Sequence, residues 1–216
     1  MHNKLLLLLL LFPLCVNASW TGIAGYLGSS EHDWLLTSQD RKTDVTYYGL
    51  RIEEKTKADI RIGASVAQYD LRLIDPADLL NIEKFSGERA SLYLRWPIKL
   101  TRQLKWHSAL HFLYLRGTRN NASISAVPDV TINWTEWVLD LGISVQLGRI
   151  SLRPFVEFRH VDGDISDATG TALFKLVNAQ SSGIIADYFV EPTAYVRLRA
   201  TGAENKALEV SLVREF

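Results

Sequence analysis

The feature that most constrains this chain is an alternation of period two that runs through most of its length. In WVLDLGISVQLG, Trp137, Leu139, Leu141, Ile143, Val145 and Leu147 fall on one face of an extended strand. Glu136, Val138, Asp140, Gly142, Ser144 and Gln146 fall on the other. Helical spacing of apolar residues is absent, and period two is the signature of a strand with two unlike faces. ERASLYLRWPI repeats the pattern, with Ala90, Leu92, Leu94, Trp96 and Ile98 opposite Arg89, Ser91, Tyr93 and Arg95. So do ADIRIGASVAQYD (Ile60, Ile62, Ala64, Val66), LKWHSALHFLYLR (Leu104, Trp106, Leu110, Phe112, Tyr114) and LRPFVEFRH (Leu152, Pro154, Val156, Phe158). The apolar faces are nearly free of charge, and the opposite faces mix Arg, Lys, Asp and Glu with small residues.

Two architectures accommodate such strands. A soluble antiparallel barrel turns its apolar face inward and its charged face to water. A transmembrane barrel reverses this, with lipid against the apolar side and polar groups in the lumen. Aromatic residues near strand ends favour the second: Trp96 and Trp106 flank PIKLTRQ, and Tyr114, Trp134 and Trp137 flank the stretch 116–132. Amphipathic rings are stabilised at the lipid–water boundary. Connection lengths also favour it. EEKTKAD, PIKLTRQ and LGRIS are tight, whereas 29–42, 71–84 and 118–130 read as long polar loops, and short turns at one end with long loops at the other suit a membrane barrel.

Both ends of the sequence bear on export. Lys4 precedes an unbroken run from Leu5 to Leu11, then Pro13 and Val16-Asn17-Ala18. This reads as a secretory signal peptide over 1–18, cut after Ala18, ahead of a single barrel domain over 19–216. The apolar stretch is too short to span a bilayer as a helix, which takes ~20 residues. Cys15, the only cysteine, would leave with the leader, so no disulfide or thiol chemistry is expected. The 24 basic side chains equal the 24 acidic ones before cleavage, which argues against nucleic acid as a partner. No cofactor is expected. At the other end, KALEVSLVREF places Leu208, Val210, Leu212 and Phe216 on one strand face.

A leader, alternating strands and a last strand ending on Phe together resemble the bacterial outer-membrane β-barrel class. The resemblance covers the chain from Ser19 onward in pattern, although Arg214 stands where that class usually has an apolar residue. It implies location in the outer membrane with its lipid as the surroundings. It also implies that Phe216, Leu212, Val210 and Leu208 form the signal read by the barrel-insertion machinery. The expected fold is an all-β, up-and-down antiparallel transmembrane barrel. Nine strands read near 19–28, 43–54, 58–70, 86–98, 103–116, 132–148, 151–162, 184–200 and 205–216, and TALFKLVN (171–178) is the best tenth. Ten is the expected count, with eight as the alternative. Residues 74–85 could hold a helical turn begun at Asp75-Pro76.

On this phase the lumen holds Arg51, Arg61, Arg89, Arg95, Glu136, Asp140, Arg153, Glu157, Arg159, Arg197 and Arg199 as a charge network, with His107 and His111 beside it. Small barrels are about filled by their side chains, so paired arginines and carboxylates predict a plugged or narrow interior. The leading expectation is a non-catalytic pore, structural protein or surface-binding scaffold. One alternative is a lipid- or peptide-hydrolysing barrel enzyme using His107, His111 and Asp140, since a histidine, a carboxylate and a hydroxyl are the raw material of hydrolysis. No nucleophile motif accompanies them. The other alternative is a soluble periplasmic carrier of an apolar ligand. Asp162 and Asp164, at alternate positions near a strand end, are candidates for a divalent cation such as calcium. The sequence leaves solute and oligomeric state open.

Overall fold

The computed structural model of the chain describes residues 18–37, 39–75, 78–119, 130–202 and 205–216. The leader read over 1–18 lies almost wholly outside them. Among the described residues eleven strands follow in order: β1 (Ala18–Leu36), β2 (Gln39–Thr56), β3 (Arg61–Asp75), β4 (Asp78–Lys99), β5 (Leu104–Arg119), β6 (Thr131–Leu147), β7 (Ile150–Asp167), β8 (Gly170–Leu176), β9 (Gln180–Glu191), β10 (Ala194–Gly202) and β11 (Lys206–Glu215). Each pairs antiparallel with its neighbour in the ring, and β11 returns to β1 from Gly22↔Glu215 to Glu31↔Lys206. Closure removes both sheet edges, so backbone donors and acceptors are satisfied within the wall.

β8 and β9 form one wall strand with a break at 177–179. β8 pairs with β7 over 162–167, and β9 pairs with the same β7 over 150–158. The closed barrel therefore has ten strands. One end, called the near end, holds the C-terminus, where Phe216 N donates to Thr21 O at 2.8 Å. At the far end the count changes. β10 and β11 stop short, and β8 bonds directly to β1 through Trp34↔Leu176, Leu35↔Lys175 and Leu36↔Phe174. The wall is ten strands round near the termini and eight round at the opposite rim.

Several sequence expectations change. The stretch 184–200 is a hairpin, β9 and β10, turning at Pro192-Thr193. The stretches 29–42 and 71–84 are continuations of β1–β2 and β3–β4, paired as far as Leu36↔Gln39 and Asp75↔Asp78. The helical turn anticipated in 74–85 gives way to β4, which starts at Asp78. Most of the loop at 118–130 lies outside the described residues.

Those long strands are explained by a switch of face along β3. Ile62, Ala64 and Val66 point outward near the termini, while Gln68, Asp70 and Arg72 point outward beyond them. Inward positions run the other way, from Arg61, Gly63 and Ser65 to Ala67, Tyr69, Leu71 and Leu73. β2 does the same: Leu50 and Ile52 face out with Arg51 and Glu53 inside, then Asp44 and Thr46 face out with Val45 and Tyr47 inside. The near part thus carries an outward apolar belt, with Ile23, Leu27, Leu50, Val66, Leu92 and Leu110 among its exposed members. The far part is built like a water-soluble barrel around an apolar core. Nine residues of β3 beyond Val66, at ~3.3 Å per residue and a tilt near 40°, raise this part about 20 Å above the belt.

The far core holds Trp34, Phe85, Leu71, Ile132, Trp134, Val161 and Phe174, all essentially buried. Trp134 therefore faces inward rather than joining an interfacial girdle with Tyr114 and Trp137; along β6 it falls on the opposite face from Trp137, three residues away. Trp34 stacks on Phe174 with centroids 4.2 Å apart, and Trp134 meets the edge of Trp34 at 5.3 Å and of Tyr69 at 5.2 Å. Gly163 makes room for this cluster, because a Cβ there would lie 2.2 Å from Phe174 Cζ. An eight-stranded ring has an interior about wide enough for side chains alone, so the narrow rim and the aromatic filling belong together.

Candidate functional site in the barrel interior

Below the aromatic plug the interior is ionic. Arg51, Arg89, Glu136, Glu157, Arg159 and Arg199 line a central void with Arg95 and Arg197, while Arg61 and Arg153 line a second space at the near end. Asp140 lies against Arg199 and Arg153. The alternation of each strand sends these side chains inward and an apolar neighbour out to the belt.

The contacts form a mesh across the bore. Arg199 bridges Asp140 at 2.8 Å and Glu157 at 2.5 Å, and Arg159 bridges Glu157 at 3.1 Å and Glu136 at 2.9 Å. Glu136 also accepts from Trp134 Nε1 at 2.8 Å, which ties the mesh to the plug above. Arg51 bonds Glu209 at 3.1 Å, with Tyr47 and Ser211 donating to the same carboxylate. Arg61 bonds Glu53 at 2.8 Å, and the Tyr93 hydroxyl donates to the other oxygen of Glu53. Gly63 lies beneath the Tyr93 ring, where a Cβ would come within 2.2 Å of it. Arg89 sits over the Tyr47 ring at 4.4 Å. Charge-assisted bonds of this kind are the strong ones, and cross-bore pairing offsets the desolvation of each ion.

Several participants are absent from the sequence-derived network. Asp187 takes a two-pronged bond from Arg197, at 2.7 Å and 2.9 Å. It sits in the stretch read as one strand, whose hidden turn concealed its partner β10. His32 hydrogen-bonds Asn205 at 3.1 Å beneath the plug, and Asn205 donates to Asn178 O at 2.7 Å. That contact pins the end of the short β10–β11 hairpin under the break between β8 and β9.

The three residues considered for catalysis are not assembled as a relay. His107 Nε2 is hydrogen-bonded to Ser144 Oγ at 2.7 Å, but its buried Nδ1 has no partner. Asp140 is held by the arginines instead. His111 is stacked on Tyr93, centroids 5.7 Å apart, with Nε2 buried and unpartnered. A triad needs a third group that orients the base, and here the carboxylate is engaged elsewhere. Asp162 and Asp164 lie on the outer wall of β7, where Asp162 contacts His160 at 2.6 Å and Asp164 accepts from Ser166 at 3.1 Å. Among the described residues no group of three or more His, Cys, Asp or Glu side chains is placed to hold a metal.

Of the last strand, Leu208, Val210, Leu212 and Phe216 face outward at the near end. Arg214 shares that face and bonds Glu191 across the rim at 2.6 Å, a position at the edge of the belt that a charge can occupy.

An outward apolar belt around an enclosed ionic interior defines a membrane β-barrel. Among solved structures the chain is similar to the translocator domain of the autotransporter NalP from Neisseria meningitidis, at 12% identity and a TM-score of 0.55, covering 99% of this chain and 95% of that one. It is also similar to the transport unit of the autotransporter AIDA-I from Escherichia coli (8% identity, TM-score 0.51, 93% and 91% covered). The outer-membrane protease OmpT from Escherichia coli matches at 11% identity and TM-score 0.50, over 92% of this chain and 97% of that one. No family model matches the sequence, and no curated protein does. At such identities the likeness is one of fold: this chain has the closed ten-stranded fold of the bacterial outer-membrane β-barrels.

Proposed function

We propose that the protein resides in the bacterial outer membrane as a sealed, non-catalytic barrel, and that it serves as a structural or surface-binding scaffold rather than an open pore. The observation that carries this reading is the aromatic plug of Trp34, Trp134, Tyr69 and Phe174 standing directly on the arginine–carboxylate mesh. Conduction needs a continuous water path. The void lined by plug and mesh residues is about 100 Å³, small against the ~300–1,000 Å³ of an ordinary ligand pocket. The far part, raised clear of the belt, presents charged outer walls such as Asp70, Arg72 and Asp44 as the surface offered to partners.

Planar bilayer recording tests it: the purified protein inserts without stable conductance steps, and reproducible ohmic steps would overturn the sealed reading. The His107–Ser144 contact is the one observation that favours a hydrolytic role. Replacing His107 by Ala and finding lipid A and surface proteins unaltered removes that alternative. The outward belt argues against a soluble carrier, because its exposed leucines and isoleucines would have to face water.

A further inference from the structure

The near-end vestibule holds more positive charge than its own carboxylates balance. This cavity, about 370 Å³, is walled by Arg61, Arg95, Arg102, Lys105, Arg153 and Arg197 against Asp59, Asp187 and Glu215. The acids are engaged: Asp187 by Arg197, Asp59 by Lys55 at 2.8 Å and Lys105 at 3.7 Å, and Glu215 by Arg61 at 3.7 Å. Two of the arginines are both buried and poorly compensated. Arg95 and Arg153 are only 7% and 5% exposed, and Arg95 Nε and Arg153 Nη2 are buried without a hydrogen-bond partner. The carboxylate nearest Arg153, Asp140, is 3.8 Å away and already bonded by Arg199 at 2.8 Å. Glu53, which attracts Arg95 across the lumen, is hydrogen-bonded to Arg61 and to Tyr93. A guanidinium withdrawn from water without a close counter-ion is costly, and an anion supplied from outside relieves it.

We propose that this vestibule is a binding site for a phosphate-type oxyanion, gripped by Arg95 and Arg153 with the His107–Ser144 pair lining the same pocket. Guanidinium forks match phosphate oxygens two at a time. An excess of three cations over acids in the wall favours a multiply charged group over a single carboxylate. The volume lies near the lower bound of ~300 Å³ for small-molecule sites, so it suits a compact phosphate ester or a phospholipid headgroup rather than a polymer.

The test titrates pyrophosphate into the protein refolded in a zwitterionic detergent, read by calorimetry and by thermal unfolding, with chloride at matched ionic strength as control. Wild type binds and is stabilised by pyrophosphate, and both effects weaken at high salt. Arg95→Met and Arg153→Met each reduce the affinity about tenfold or more, as expected for a lost charge-assisted bond. Unliganded, they are no less stable than wild type, whereas a purely structural arginine would leave them weaker. Arg102→Gln, on an exposed turn, folds regardless and weakens binding by a smaller factor. Absence of binding by wild type, or unchanged affinity in all three variants, overturns the proposal. A second arm separates the sources. In nanodiscs of phosphatidylcholine with added phosphatidic acid, displacement of pyrophosphate assigns the site to headgroups, and undiminished binding assigns it to a soluble phosphate. Since the site lies beneath the mesh, its failure leaves the sealed-barrel reading standing, and conductance would overturn that reading alone.

Discussion

Trp34 and Leu35 are adjacent on β1 yet face opposite sides of the far wall, so truncating each to Ala isolates what the reversed far half contributes. Trp34 is 1% exposed, stacked on Phe174 at 4.2 Å and edge-on to Trp134 at 5.3 Å. Burying an aromatic side chain of ~200 Å² at ~25 cal/mol/Å² gives about 5 kcal/mol as an upper bound. Measured truncations of buried Phe or Trp cost ~3–5 kcal/mol, since the cavity left behind relaxes only in part. Leu35 is 44% exposed on the outer face, above the belt, where truncation costs no more than about 1 kcal/mol. Urea unfolding of the protein refolded in detergent, followed by tryptophan fluorescence and by gel mobility, gives both values. The expected outcome is a gap of at least ~2 kcal/mol with Trp34→Ala the weaker protein. If Leu35→Ala is equally or more damaging, the apolar core of the far half is wrongly placed and the argument for a sealed interior fails with it.

Other consequences follow from the same contacts. Arg199→Met leaves Asp140 and Glu157 buried without their shared cation and should cost ~3–5 kcal/mol in the same unfolding assay. By contrast, Arg214→Ala breaks a pair exposed by more than half on both sides and should change stability by under ~1 kcal/mol. Phe216→Ala should leave the folded protein within ~1 kcal/mol of wild type, because its ring is largely exposed, and the assembly-signal reading of the last strand predicts slower appearance in the outer membrane. A stability loss matching the assembly defect would refute that separation. At the far-end turn, hydrogen bonds from the Thr169 hydroxyl and backbone hold the Asp167 carboxyl below its ordinary range. A depressed carboxyl supports the turn above its unfolded pKa and loses that support as pH falls through the folded one. Thr169→Ala should therefore move the Asp167 titration, read by NMR, upward toward the ordinary value.

The phase of the near half was legible because lipid and an ionic lumen impose opposite demands on alternate residues, as in Trp137 to Val145. The far half was not, although its signal is present. After Val66 the apolar residues shift by one parity step to Ala67, Tyr69, Leu71 and Leu73, and such a slip within one strand reads as the end of the strand. The outward Asp70 and Arg72 then give the segment the composition of a loop. Trp134 and Trp137, three residues apart, fall on opposite faces for the same reason. The hairpin at 192–193 is hard to read in the sequence because a two-residue turn interrupts the pattern so briefly, and the inward place of Asp187 depends on it. Which arginine meets which carboxylate was beyond the sequence. Arg51 and Glu209, or Arg199 and Asp140, come together only through ring closure and the stagger of the wall.

The claim that strand faces exchange roles partway along the barrel can be tested on β3 alone. Nitroxide labels placed singly from Ile62 to Leu73, in protein reconstituted into nanodiscs, report contact with lipid-soluble oxygen or with a water-soluble nickel chelate. The account predicts oxygen contact at 62, 64 and 66, chelate contact at 68, 70 and 72, and protection from both at 67, 69 and 71. Oxygen contact persisting through 68, 70 and 72, or chelate reaching 69 and 71, would contradict it.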